Sequence, residues 1–225
     1  MVKDIEADAN EYLQLNKSIM ELIMCGRYHF SIDEKELRDI VAAAERNIAN
    51  QSKFAPFAGG EIYPSNSVPV ITAHESTFMT WGYPSLADNR PPHINARSET
   101  AATKNTFKAA MAARRCVIPA SCFYEWKAFA NKRQKEKYEF SLLNDDVMYM
   151  AGIYSLDNRF AILTREATPE IADIHNRIPV VIPKDLIDDW LGGSDEVLQK
   201  AVTGLKYTPM PPPDENDEPT QMSLF

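Results

Sequence analysis

The stretch RCVIPASCFYEW (residues 115–126) is the longest of six runs in this chain that are rich in β-branched and aromatic residues. The other runs are SVPVITA, STFMTWGY, KYEFSLL, VMYMAGIYSL and RFAILTREA. Such residues favour extended strands, and turn signals between the runs, such as Asn-Asp-Asp at 144–146, favour antiparallel pairing. Because strands and helices do not alternate strictly, the sequence predicts an α+β fold built on a predominantly antiparallel sheet or barrel.

Helices are predicted around these strands. Residues 33–49 are expected to be helical, because Ser31 and Glu34 make a capping-box pattern ahead of apolar residues at helical spacing. The Ala content of residues 99–114 predicts a second helix, and two more are expected at 184–191 and 195–203. Residues 3–23 also have the apolar spacing of an amphipathic helix.

Charge is distributed unevenly along the 225 residues, whose net charge is −8. Residues 1–23 carry five acids and two bases, and residues 209–225 carry four acids and no base. In contrast, residues 104–137 hold nine bases and two acids. That segment is either a surface that meets phosphates or a solvated basic loop, and the charge alone leaves both open.

Composition excludes several classes of protein. The three cysteines lack paired CxxC spacing and the four histidines form no HExxH pair, so no disulfide framework, metal site or cofactor is predicted. No apolar run approaches the roughly 18 residues that a membrane helix needs, and no signal-peptide pattern opens the chain. The expected location is therefore the cytoplasm, without a membrane partner.

The stretch MCGRYHF (24–30) resembles the start of a protein. Removal of an initiator Met24 would leave Cys25 with a free amine beside its thiol, yet 23 residues precede it. The chain begins at Met24 in the active species, or is cut there, or the resemblance to a start is accidental.

Four stretches combine polar groups with constrained backbone: CGRY (25–28), HINARSET (93–100), PASCFYEWK (119–127) and IHNRIPVVI (174–182). Each polar residue also has a plain structural interpretation. Glu125 would pair with Arg115 or Lys127, Asn95 would cap the following helix, and His175 would be a satisfied core histidine.

Together these stretches resemble the SOS-response-associated peptidase family, whose members attach themselves covalently to abasic sites in single-stranded DNA. The motifs CGRY, NARSE, IPASxFYEW and HxR-P occur in family order between Cys25 and about Tyr207. The resemblance implies a compact, mixed or antiparallel β-barrel-like sheet flanked by helices. It assigns residues 24–208 to a catalytic domain. Residues 1–23 are then an extension that is removed or not translated, or that persists as a packed helix covering the site. The Pro and acid content of residues 209–225 predicts a disordered tail that ends in the clamp-binding-like motif.

The resemblance implies chemical roles for four residues. Cys25 is the nucleophile, Asn95 a hydrogen-bonding group, and Glu125 with His175 the proton-transfer pair. An abasic deoxyribose in its open form carries an aldehyde, which an amine converts to a Schiff base and an adjacent thiol closes to a thiazolidine. The Cys25 amine must be free, so the implied activity includes self-cleavage or Met removal, with lyase chemistry from the same Schiff base.

The resemblance also implies DNA contacts. Arg27, Arg97 and Arg177 would hold phosphates, and Trp81 would pack against an unstacked base or sugar. Cys122 stands where the family usually has Gly, which brings a second thiol near the site. A nucleoid-associated factor of the DNA damage response is the function expected.

The terminal QMSLF resembles the short motif that binds the bacterial sliding clamp, in which Gln221 and the pair Leu224 and Phe225 enter a pocket. Two other functions stay open. One is a cysteine peptidase acting in trans, for which Cys25, His175 and Asn95 would form the catalytic group. The other is a non-catalytic single-stranded DNA binder with an inert Cys25.

Overall fold

The structure is a computed structural model that describes residues 26–48, 56–86, 90–129 and 135–211. The strands are β1 Arg27–Phe30, β2 Gly60–Ile62, β3 Ser67–Thr72, β4 Ser76–Trp81, β5 Asn95–Arg97, β6 Arg115–Ala120, β7 Cys122–Lys127, β8 Glu136–Leu142, β9 Met148–Tyr154, β10 Arg159–Glu166, β11 Arg177–Pro179, β12 Val181–Ile182 and β13 Leu205–Pro209. The helices are α1 Lys35–Ile48, α2 Ser98–Ala101, α3 Lys108–Ala113, α4 Pro169–Ala172 and α5 Ile187–Leu191, with 3₁₀ turns at Lys184–Leu186 and Asp195–Lys200.

A closed barrel forms the centre of the molecule. Its strands follow the order β10, β4, β3, β6 and β9, and β9 pairs again with β10 to close the circle. All of these pairs are antiparallel except β4 with β10, which is parallel. The predicted α+β fold with a mixed, barrel-like sheet is confirmed.

A second sheet lies beside the barrel in the order β13, β8, β7, β1 and β2. The stretch 115–126 supplies strands to both, because β6 belongs to the barrel and β7 to the second sheet. The break falls at Ser121, whose amide donates to the His29 carbonyl at 2.8 Å and whose hydroxyl accepts from the Ser31 amide at 2.9 Å. One run of sequence therefore joins the two sheets at a hydrogen-bonded corner.

Close packing in the barrel requires a glycine in β9. A Cβ on Gly152 would stand 2.3 Å from Ile118 Cδ1 and 3.1 Å from Cys116 Sγ. A side chain at this position would displace the Ile118 side chain, because protein interiors leave no such space. Gly152 therefore leaves room for the side chains of Ile118 and Cys116 inside the barrel.

The predicted helices are confirmed in part. α1 buries Leu37, Val41 and Ala44 as its spacing indicated, although the Ser31 hydroxyl accepts from the Asp33 amide instead of completing a capping box with Glu34. The single helix expected over 99–114 is wrong: the chain turns between α2 and α3. Phe107 is buried there against Tyr83 and His93, with ring centroids 5.4 and 5.3 Å away, and this packing interrupts the helix.

The third expected helix is present as a 3₁₀ turn leading into α5, and the fourth is shorter than expected and wholly 3₁₀. No helix within the described part of the chain is long and apolar enough to cross a membrane. The predicted helix over 3–23 lies outside the described residues.

Candidate active site

Glu125 is a buried carboxylate near the end of β7. Its exposure is 1%, and Phe123 on the same side of the strand is also buried. Trp126 on the other side is partly exposed. Side chains alternate across a strand, so Glu125 points toward the interior and Trp126 away from it. A buried acid beside the end of a strand is a candidate for proton transfer.

His175 completes a pair with Glu125. Its Nδ1 lies 3.8 Å from Glu125 Oε1, within reach of an ion pair but beyond a hydrogen bond. Nδ1 also lies 2.9 Å from the Arg177 carbonyl and 3.2 Å from the Arg177 amide. The same ring nitrogen therefore lies near both the Arg177 backbone and the Glu125 carboxylate.

The His175 imidazole is held neutral at pH 7. Burial lowers its pKa below the ordinary value, the nearby charges of Lys135 and Arg177 lower it further, and the hydrogen bond to the Arg177 backbone opposes them. At pH 7 the ring can accept a proton, as a general base must.

The structural alternatives for Glu125 and Asn95 are not observed, whereas His175 does bond the backbone of Arg177. Arg115 pairs with Asp195 and Lys127 lies 3.8 Å from Asp173, so neither is the ion-pair partner expected for Glu125. The residue before α2 is Arg97, so Asn95 does not cap that helix.

Asn95 and Arg97 lie on β5, which pairs in parallel with β10. β11, which follows His175, pairs with β10 as well, with Arg177 opposite Glu166. Asn95 stands opposite Ile162, which precedes Glu166 by four positions on β10. The positions opposite Asn95 and Arg177 are therefore about 13 Å apart along β10. Arg97 is exposed, so its guanidinium is available to an anion from solution.

Arg27 lies on the outer face of the second sheet in a group of basic and aromatic side chains. Its guanidinium is 4.6 Å from the Tyr63 ring centroid and 5.2 Å from that of Trp126, and it donates to Glu61 at 3.3 Å. Lys137 donates to the same Glu61 carboxylate at 3.0 Å. We call Arg27, Tyr63, Trp126 and Lys137 the outer patch.

Trp126 is the residue of this region that sequence reasoning missed. It directly follows Glu125 in the motif FYEW, and alternation along β7 was the signal that would have placed it on the outer face. It is partly exposed, and the cationic groups of Arg27 and Lys137 both lie over its ring.

The prediction that Trp81 packs against a base is wrong. Trp81 is 1% exposed, its ring stacks on Phe160 with centroids 6.3 Å apart, and its Nε1 donates to the Ile94 carbonyl at 2.8 Å. The end of β4 faces the barrel interior, so this tryptophan belongs to the core.

The phosphate contact of Arg177 stays a prediction, and in the structure its guanidinium pairs with Glu99. Its side chain is 8% exposed, and both terminal nitrogens donate to the Glu99 carboxylate at 2.7 and 2.8 Å. Its charge is therefore already neutralised inside the protein.

The second thiol does not lie beside Glu125. Cys122 alternates with Glu125 along β7 and shares the outer face with Tyr124, where it lines a cavity of about 450 Å³. Burial raises the pKa of the Cys122 thiol to about 12, so the thiol stays protonated at pH 7.

Several predicted site residues fall outside the described part of the chain: Cys25, Gln221, Leu224 and Phe225. Among the residues that are described, no group of three or more His, Cys, Asp or Glu side chains is arranged to hold a metal ion.

The sequence that carries the buried Glu125–His175 pair matches a known family. The model of the family described as SOS response associated peptidase (SRAP) matches residues 24–215. The chain belongs to the SRAP family. This SRAP protein is 33% identical over 190 residues to the abasic site processing protein YobE of Bacillus subtilis, covering 75% of this chain and 82% of YobE. It is 28% identical over 180 residues to the abasic site processing protein YedK of Escherichia coli, covering 75% and 79%.

Solved structures show the same fold. A protein from Bordetella bronchiseptica superposes on the SRAP chain with a TM-score of 0.64 at 21% identity, covering 83% of this chain and 100% of the other. A protein from Bacteroides thetaiotaomicron gives a TM-score of 0.60 at 17% identity, covering 82% and 92%.

Proposed function

We propose that this protein processes abasic sites in single-stranded DNA by attaching Cys25 covalently to the ring-opened sugar. Two relatives that cover three quarters of the chain are abasic site processing proteins. The observation that carries the proposal is the Glu125–His175 pair, buried at the end of the strand next to β1.

The strand register brings the start of β1 to the end of β7 that carries Glu125. β1 and β7 are antiparallel, with Arg27 opposite Tyr124 and His29 opposite Cys122. Continuing the register by one pair sets Gly26 opposite Glu125. Gly26, the residue that follows Cys25 in the sequence, therefore lies beside the end of β7 that carries the acid.

The chemistry needs proton transfer at three points. The Cys25 amine, with an ordinary pKa of about 7.7–8.0, adds to the sugar aldehyde, and the resulting carbinolamine loses water to give a Schiff base. The thiol then adds to the C=N carbon, and its proton ends on nitrogen, which closes the thiazolidine. Glu125 and the neutral His175 supply and remove these protons.

The outer patch and Arg97 are proposed to hold the single strand. Exposed arginine forks bind phosphates, and aromatic faces stack on unpaired bases without reading sequence. Trp126 is partly exposed beside Arg27 and Lys137, so its ring is proposed to stack on an unpaired base of the bound strand. Trp126 thus takes the role first expected of Trp81.

Substitution of the two tryptophans separates these roles. We expect Trp126→Ala to weaken binding of single-stranded DNA by about 1–3 kcal/mol, the usual value of one base–aromatic stack, with little change in thermal stability. We expect Trp81→Ala to lower the free energy of unfolding by about 3–5 kcal/mol, because it leaves a cavity in the core. Fluorescence anisotropy and thermal melts distinguish the variants. Loss of DNA affinity in folded Trp81→Ala alone would contradict the assignment.

The proposal requires a free amine at Cys25, from Met24 removal or from cleavage of the Met24–Cys25 bond. The test is to mix purified protein with single-stranded DNA that carries one abasic site and to measure the denatured complex by intact mass. We expect a complex whose protein begins at Cys25 and whose mass shows the loss of one water. A chain proved to begin at Cys25 that forms no complex would refute the function and favour a peptidase.

A second partner is proposed for the C-terminal QMSLF, residues 221–225, on the resemblance to a clamp-binding peptide. We expect Leu224→Ala with Phe225→Ala to abolish binding to a bacterial sliding clamp, measured by calorimetry, while crosslinking to abasic DNA is unchanged. The matched control is Ser223→Ala. Loss of crosslinking in the double variant would mean that these residues serve the catalytic domain instead.

A further inference from the structure

One carboxylate bridges the two cations of the outer patch. Glu61 Oε1 accepts from Arg27 at 3.3 Å and from Lys137 at 3.0 Å. All three side chains are partly exposed, so water and solutes reach the group. Two positive charges share one negative charge, and the group as a whole stays cationic.

The bridge reaches across the outer face of the second sheet. Glu61 lies on β2 and Lys137 on β8, and the strands β1 and β7 separate them. Neighbouring strands lie about 4.8 Å apart, so the two backbones are about 14 Å apart and both side chains extend over the strands between them. A single strand of DNA that binds to this face therefore meets the bridge.

The aromatic rings of this face hold the cations without neutralising them. Lys137 Nζ lies 3.7 Å from the Tyr124 ring centroid and 5.8 Å from that of Trp126, and the Arg27 guanidinium lies 5.2 Å from the Trp126 centroid. A ring attracts a cation through its quadrupole but carries no net charge. Within the described ranges, the ion pairs of Arg27 and Lys137 are both with Glu61. A phosphate that binds these cations therefore has to replace Glu61.

We propose that Glu61 competes with the phosphates of single-stranded DNA, because it pairs with Arg27 and Lys137 in the free protein and a bound strand displaces it. This inference rests on the proposed function for the identity of the strand. Its consequence is selectivity: intact strands bind weakly and exchange, whereas a strand with an abasic site is retained by the covalent bond. The opposite role is a clamp, in which Glu61 fixes both cations for the phosphates.

The main test is Glu61→Gln, which keeps a hydrogen-bond acceptor of the same size but removes the charge. We expect its affinity for intact oligothymidylate, measured by fluorescence anisotropy, to rise about 2–30-fold, the range that two partly exposed ion pairs together supply. The plot of log affinity against log salt concentration should become steeper by about 0.7, because one more phosphate is neutralised. An affinity that equals or falls below that of the wild type would overturn the proposal, and a fall would support the clamp.

The matched control is Glu139→Gln. Glu139 lies two positions from Lys137 on the same face of β8, so this change removes the same charge from the same surface without removing the bridge. We expect its affinity for oligothymidylate to match that of the wild type. Equal tightening in both variants would show a general effect of net charge and overturn the specific role of Glu61.

A mutant cycle tests whether Glu61 acts through the two cations. In a chain with Arg27→Gln and Lys137→Gln, shown to be folded by thermal melts, Glu61→Gln should change the affinity no more than Glu139→Gln does. Undiminished tightening in that background would mean that Glu61 acts elsewhere, and would refute the proposal.

Competition measures the consequence for selectivity. We expect an excess of intact oligothymidylate to slow crosslinking to an abasic strand more strongly in Glu61→Gln than in the wild type, by the same factor as the gain in affinity. Equal sensitivity of the two proteins would refute the selectivity role. A wild type that never crosslinks, while Glu61→Gln binds intact DNA more tightly, would refute the proposed function and keep the role of Glu61. Crosslinking without that tightening would do the reverse.

Discussion

Replacement of Cys25 by Ala is expected to abolish the denaturation-resistant complex with abasic single-stranded DNA, because it removes the thiol that closes the ring. A Cys25→Ala chain that begins at the substituted residue still has a free amine and forms a Schiff base, but this hydrolyses. Borohydride reduction of that mixture should trap a complex, whereas the wild type needs no reduction. Gel electrophoresis under denaturing conditions, with and without borohydride, measures the difference.

A chain in which the Cys25 nitrogen is an amide tests whether the free amine is required. A chain prepared with residues 1–24 still attached has an amide nitrogen at Cys25 and is expected to give no complex under either condition. Formation of a stable complex by that chain would show that the thiol acts alone and would remove the requirement for a free N-terminus. The matched control is the same preparation after cleavage at Met24.

The second large effect is expected from Glu125→Gln, which keeps the shape of a side chain that is 1% exposed but removes its ability to take up a proton. Loss of a positioned general acid or base costs about 10²–10⁴-fold in rate. We expect single-turnover crosslinking to slow by this amount while the affinity for intact DNA is unchanged. Glu139, on the outer face of β8, provides the control as Glu139→Gln.

The crosslinking rate and the DNA affinity together distinguish the possible roles of Glu125. A loss of rate in Glu125→Gln with unchanged affinity supports proton transfer by this carboxylate. Equal rates for Glu125→Gln and the wild type would exclude that role, and a loss of folding in thermal melts would show that the carboxylate is needed for structure instead. His175→Gln should reduce the rate as Glu125→Gln does, and the double variant should lose little more.

The sequence predicted much of the candidate site because the residue types and the order of the motifs indicate the chemistry of that site. Glu125 and His175 were identified from motifs some 50 residues apart, and the structure brings them to 3.8 Å. The distance itself was not predictable, because β7 and β11 belong to different sheets and the distance depends on how those sheets lie against each other. Cys25 remains a prediction, because it lies outside the described residues.

Residues of one type in similar motifs have different surroundings in the fold. Trp81 and Trp126 are the same residue type at the end of a strand, and Arg97 and Arg177 are both arginines in matched motifs. What separates them is whether the strand presents its side chain to the core or to solvent, and whether an acid such as Glu99 arrives from another element. Neither is a property of local sequence.

The sequence by itself determined the strands within the six runs rich in β-branched and aromatic residues, the buried face of α1 and the residue types of the predicted proton-transfer pair, because strand propensity and helical spacing act over a few neighbouring residues. Only the tertiary structure decided that residues 115–126 divide at Ser121 between two sheets, that Trp81 is core and Trp126 is surface, and that Arg177 is neutralised by Glu99. These depend on pairing between strands far apart in the chain. Pairing register is set by packing and burial of whole elements, which no short stretch contains.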